Sequence, residues 1–146
     1  MKTVMKNLSI VLAIMFIAAA CGKYEEGPSF SLASKKSRIV NVWCLDALYE
    51  NGVEQTLTPD DKDDYIEFKK DGSAVLTWVV GTQSVDIKGA WELSSDNSKL
   101  MVIIKDNNGN NVDTTNFTIL RLKSNELWME EVDGNDKDEY HYITKK

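Results

Sequence analysis

The chain has one histidine, two cysteines and two prolines, and each shortage removes a class of chemistry. A structural zinc site takes four nitrogen or sulfur ligands, and His141, Cys21 and Cys44 cannot supply them. A nucleophilic thiol needs a base beside it. Cys44 lies in the apolar stretch Val42-Trp43-Cys44-Leu45, far along the chain from His141, and reads instead as a small hydrophobe in a strand. Two cysteines make no disulfide framework, and a Cys21–Cys44 bridge arises only if Cys21 is left unmodified. The sequence has no phosphate-cradling glycine loop and no Gly-x-Ser-x-Gly elbow. Glu130 and Glu131 are adjacent, so on a strand they face opposite ways and cannot act as a pair. Residues 106–113 and 133–139 offer oxygen ligands at alternate positions. They lack the glycine and glutamate that a calcium-binding EF-hand loop requires, and are expected as solvated turns. The expectation is a protein that is no enzyme, holds no metal and needs no cofactor.

Positive charge is also scarce, with 17 basic residues against 23 acidic. Residues 1–20 hold Lys2 and Lys6 and no acid, so the remaining 126 residues carry a net charge of −8. Such a surface repels phosphate backbones, which argues against a nucleic-acid partner. The acids gather in runs at 60–64 and 133–139, and such runs are expected as solvated loops.

No apolar run reaches the roughly 20 residues needed to span a bilayer. The longest, residues 8–20, follows a short segment bearing Lys2 and Lys6 and ends in Ala18, Ala19 and Ala20. A basic region, a short apolar region and small residues before a cut describe an export signal. Cys21 follows at once, in the pattern of a lipobox, with alanine at position 18 where leucine is usual. Residues 1–20 are therefore expected to be removed and Cys21 to carry lipid, so that the chain meets a membrane through its anchor alone. An ordinary secreted protein cut near Ala20 is the competing reading.

Residues 21–37 read as a tether, with Gly22, Gly27, Pro28 and several serines, and Ser34 is placed to cap a helical turn over 34–39. Beyond it, the pattern has period two and is broken by turn signals. Eight strands are expected, over residues 39–49, 64–69, 73–80, 83–93, 99–105, 114–122, 126–132 and 139–144. The cleanest runs from Val85 to Leu93, where Val85, Ile87, Gly89, Trp91 and Leu93 alternate with Asp86, Lys88, Ala90 and Glu92. Asn51-Gly52, Asp71-Gly72 and Asn108-Gly109 favour tight turns between antiparallel neighbours. A long meander has exposed edges, and joining the first strand to the last removes them. The fold expected for residues 38–146 is thus all-β: one antiparallel up-and-down barrel of eight strands. Trp43, Phe68, Trp78, Trp91, Phe117 and Trp128 are the candidates to face its interior and any ligand there.

The run from Cys21 to Trp43, with its Glu26-Gly27-Pro28 tether and its Ser31-Leu32-Ala33-Ser34-Lys35-Lys36-Ser37-Arg38 segment, resembles the start of lipocalin-like, calycin-type lipoproteins of the Bacteroidota. Phe68-Lys69-Lys70-Asp71-Gly72, Gly89-Ala90-Trp91 and Ile119-Leu120-Arg121-Leu122 are similar too. The resemblance implies a lipocalin-like barrel with no known reaction. It also implies that Trp43 plugs the closed end, although Asn41 stands where glycine is usual. An arginine would pack across that plug, Arg121 or Arg38, the chain's only two, with Arg121 the one on a late strand. Such a stack contributes about 0.5–2 kcal/mol. The implied setting is the cell envelope, lipid-anchored at the outer membrane, on its periplasmic side or at the surface. The acids Glu25 and Glu26 after the lipid site fit either side. Two functions follow. One is a barrel holding a small hydrophobic or amphipathic ligand. The other is a filled barrel whose acidic loops bind a protein of the envelope or a foreign one, as an inhibitor or accessory subunit.

Overall fold

A computed structural model describes residues 34–145. It shows a closed antiparallel barrel of eight strands. The strands are β1 (Val42–Glu50), β2 (Val53–Glu54), β3 (Tyr65–Phe68), β4 (Ser73–Val80), β5 (Gln83–Leu93), β6 (Lys99–Lys105), β7 (Asn111–Leu122), β8 (Glu126–Asp133) and β9 (Asp136–Thr144). All but β2 form the wall. Each pairs with the next, and β9 returns to β1 from Trp43↔Thr144 to Glu50↔Asp138. The ninth strand, β2, is a two-residue flap hung on β1 by the Asn51-Gly52 turn, where both residues have positive φ. The first wall strand starts at Val42 rather than Ile39, because residues 35–39 coil into α1 (Lys35–Ile39). Ser34 Oγ caps α1 by accepting from the Ser37 amide at 3.1 Å.

The acidic run at 60–64 is not the plain solvated loop expected of it. Pro59–Asp63 form α2, opened by a reciprocal capping box: Thr58 Oγ1 accepts from the Asp61 amide, and the Asp61 carboxylate accepts from the Thr58 amide. The reason lies in the wall. β3 has four residues and pairs with β4 only as far as Tyr65↔Thr77, so the upper part of β4 lacks a strand neighbour. Carboxylates of this acidic segment take that place. Asp64 accepts from the Val79 amide at 2.6 Å and Asp60 from the Gly81 amide at 2.9 Å. Unmet amides would otherwise mark an exposed sheet edge.

The strand ends sort the barrel into two halves. Below, Ile39, Trp43, Phe68, Trp91, Leu100, Ile119, Leu122, Leu127 and Met129 are buried together as a solid floor. Fit there is tight at Gly89, where a Cβ would run into the Ile103 carbonyl of β6, so no larger residue is accommodated without moving a strand. Bulges at Asp46 in β1 and at Leu120 in β7 bend the wall into closure. Above the floor, the turns at 81–82, 106–110 and 134–135 surround the opposite, open end.

Candidate functional site

The site is the hollow upper half of the barrel. A cavity of about 460 Å³ lies there, lined by Ile66, Leu76, Trp78, Ile87, Val102, Ile104, Asp113, Thr115, Phe117, Tyr140 and Tyr142. Leu76, Trp78, Ile66, Tyr140 and Tyr142 also line an adjoining recess of about 200 Å³ that reaches Leu45, Asp64 and Tyr65. Alternation produces this lining: on each strand, every second side chain faces in. A different hollow of about 430 Å³ sits outside the wall, between the Asp46 bulge, residues 54–57 and Lys62. Its walls are mostly polar and it touches none of the aromatic residues in question.

The six aromatic residues expected in the interior take three different places. Trp43, Phe68 and Trp91 belong to the floor. Trp43 Nε1 donates to the Ile39 carbonyl at 2.8 Å, so the indole and α1 close the lower end together. Trp91 Nε1 donates to the Lys69 carbonyl at 2.9 Å, and its ring meets Phe68 edge-on at 5.7 Å. Phe117 and Trp78 line the cavity. Phe117 stands perpendicular to Tyr140 at 5.9 Å, and Trp78 is 53% exposed at the rim.

Trp128 is a correction: it faces outward, between the inward-facing Leu127 and Met129. Its ring lies flat on His141, 4.0 Å between centroids, and the Arg121 guanidinium sits 4.4 Å from the indole centroid. Arg121 is a second correction. It is held on that outer face by Glu126 at 2.6 Å, away from Trp43. The arginine tied to the closed end is Arg38 of α1, which donates to the Leu122 carbonyl at 2.7 Å.

Missing from the sequence-based set are Tyr140 and Tyr142, which line the cavity together with the polar Asp113 and Thr115. Their alternation with Glu139, His141 and Ile143 is the available signal. Neither hydroxyl has a hydrogen-bond partner among the described residues, which leaves both for water or a bound molecule. Burial raises the Tyr142 phenol well beyond its ordinary range. Burial also lifts Tyr140 to about 12, with Glu131, Asp138 and Glu50 adding to the effect. Both are neutral donors at physiological pH.

In the unfolded chain these phenols ionise near pH 10, where the folded chain keeps its protons. The stability that their neutral forms confer is present below about pH 10 and is lost as pH climbs toward and through about 12. The urea midpoint is expected to fall from pH 9 to pH 11, and to fall less in Tyr140→Phe. A midpoint that stays level over this interval, in both proteins, would contradict the placement of the two phenols.

Cys44 points out of the barrel between the inward Trp43 and Leu45, and burial raises its thiol, which makes it a poor nucleophile. Among the described residues, no three His, Cys, Asp or Glu groups converge to hold a metal ion. In the turn at 106–110, the Asp106 carboxylate accepts from the amides of Asn108 and Asn110 and from the Asn110 side chain, so it braces its own loop.

A barrel of eight antiparallel strands, plugged at one end and hollow at the other, is the lipocalin architecture, in which the interior is large enough for one small ligand. The family comparison agrees: residues 39–129 match the lipocalin-like domain family, and the chain belongs to it. Among solved structures it is similar to insecticyanin from the tobacco hornworm Manduca sexta, with a TM-score of 0.56 and 15% identity, covering 84% of this chain and 68% of that one. Bovine odorant-binding protein, in a complex with a selenium-containing odorant, gives a TM-score of 0.42 at 12% identity over 80% of this chain and 76% of its own. By sequence, one of the subunits of the Na(+)-translocating NADH-quinone reductase of Vibrio campbellii is 26% identical over 137 residues. That match covers 86% of this chain and 52% of the relative, so the chain spans about half the length of this curated protein.

Proposed function

We propose that this protein is a lipid-anchored envelope lipoprotein whose barrel holds one small hydrophobic or amphipathic molecule. The observation that carries the binding role is the cavity of about 460 Å³ with aliphatic and aromatic walls and two tyrosine hydroxyls that have no hydrogen-bond partner among the described residues. Its volume falls in the range of roughly 300–1,000 Å³ usual for small-molecule sites, and few, placed polar groups among apolar walls are what such sites share. A filled scaffold would have no such space, so the volume favours the ligand reading over a barrel that works through its outer loops alone. The anchor is supported by the sequence of residues 1–21, which lies outside the described residues, as does the tether up to residue 33.

The test has two arms. The chain from Cys21 onward, produced without acylation, is mixed with an envelope lipid extract and examined by native mass spectrometry. A one-to-one adduct that also quenches tryptophan fluorescence is expected. A barrel that returns empty from every extract would defeat the binding role. In the second arm, cells expressing the full chain are labelled with radioactive palmitate, and labelling that persists in Cys21→Ala would defeat the anchor.

A further inference from the structure

The rim of the cavity is two-sided. On one side, the register carries the inward faces of β7, β8, β9 and β1 past the aromatic wall to carboxylates. Asp113 lines the cavity itself. Glu131 lies two residues above the buried Met129 and pairs across with Asp138, which pairs in turn with Glu50, two residues above Leu48. None of these four acids has an ion-pair partner among the described residues; Lys137, the nearby cation on β9, is turned outward onto Glu130 at 2.6 Å. Glu131 is raised by burial first and then by Asp138, Asp133 and Asp113. On the other side, the β4–β5 hairpin presents apolar side chains to water, with Trp78 53%, Val80 71% and Val85 57% exposed.

Glu131 and Asp138, half-buried and paired across β8 and β9 at the mouth of an apolar hollow, repel as like charges in a partly desolvated setting. A single positive charge placed among them removes that repulsion. Just beneath lie the aromatic faces of Phe117 and Tyr140, which attract a cation, and the Tyr140 and Tyr142 hydroxyls, which accept from an ammonium. A metal ion does not fit the pattern, since no three of these groups converge on a point among the described residues. An organic ammonium with an apolar body does.

We infer that the barrel is selective for amphipathic amines, binding the apolar body in the cavity and the ammonium between Asp113, Glu131 and Asp138. The inference rests on the cavity-binding reading and names the ligand class for it.

Three probes with one tail separate the two: dodecylamine, dodecanol and dodecanoate, each at monomeric concentration, titrated into the chain from Cys21 onward and followed by tryptophan fluorescence. The amine is expected to bind about tenfold or more tighter than the alcohol, with the carboxylate weakest, and the preference is expected to shrink as salt rises. In Glu131→Gln/Asp138→Asn the amine is expected to lose that advantage while dodecanol affinity holds. Leu76→Trp, which fills the cavity, is expected to weaken amine and alcohol alike. Equal affinity for the three probes would overturn the charge selection and leave the cavity standing. Undiminished amine binding in Leu76→Trp would also overturn it, by placing the amine on the acidic surface. Binding of none would overturn both readings.

Discussion

Trp43→Ala is expected to remove about 3–5 kcal/mol of folding stability, the cost usual for deleting a buried indole. Trp43 is fully buried within the cluster of buried side chains that forms the floor. The change also strips the Ile39 carbonyl of the donor it holds at 2.8 Å, and Ile39 is itself fully buried. Because α1 is fixed to the barrel by that bond and by Arg38 on the Leu122 carbonyl, the closed end would lose its lid as well as its filling. Small domains have about 5–15 kcal/mol in total, so the variant should be marginal. With a urea dependence of about 1–3 kcal/mol per molar, the midpoint should drop by roughly 2 M. Trp43→Phe keeps most of the volume and loses the hydrogen bond, so it should fall between the two. Trp128→Ala, on the outer face, should cost less than half as much, since the indole is only half-buried where it stacks on His141 beside Arg121. A Trp43→Ala midpoint within about 0.5 M of the parent, at unchanged slope, would show that the indole is not the plug.

How far the sequence reveals this arrangement differs from strand to strand. β5 is legible because one face is wet and one dry, so Val85, Ile87, Trp91 and Leu93 declare their side by parity. β8 is equally readable. Glu126 and Glu130 share the face of Trp128, and their charge assigns that face to water, yet ring size alone suggests an interior position. β7 is not readable in this way. The Leu120 bulge shifts the register between Ile119 and Arg121, so counting by twos from Phe117 gives the wrong side for Arg121. The α2 turn is hidden for another reason. What makes an aspartate run worth ordering is the pair of amides on Val79 and Gly81, and those lie 15 and 21 residues away in sequence. Local pattern thus gives the strands and their order, whereas bulges and long-range acceptors decide the plug, the outer stack and the shape of the mouth.

Leu76→Trp is expected to abolish ligand binding, by about a hundredfold or more, at little cost in stability. Leu76 faces inward between Ala74 and Trp78 and borders both the cavity and its recess, so a larger ring there enters space that a ligand would otherwise occupy. Adding bulk to a filled core costs typically 1–3 kcal/mol through strained rotamers and shifted backbone. Adding it to a hollow buries apolar surface at about 25 cal/mol per Å², a gain that offsets any local crowding. The sign of the stability change therefore reports on the space itself, independently of any ligand. A urea midpoint at or above that of the parent, together with lost affinity, is the outcome that the hollow barrel requires. A loss of more than about 2 kcal/mol would mean that the upper half is packed in solution. Preserved stability with preserved affinity would place the ligand outside the barrel. Thr115→Phe, from β7 in the same cavity, repeats the experiment from another strand of the wall. Agreement between the two variants would tie the effect to the volume they share, because their backbones belong to different hairpins and share no hydrogen-bonded strand pair.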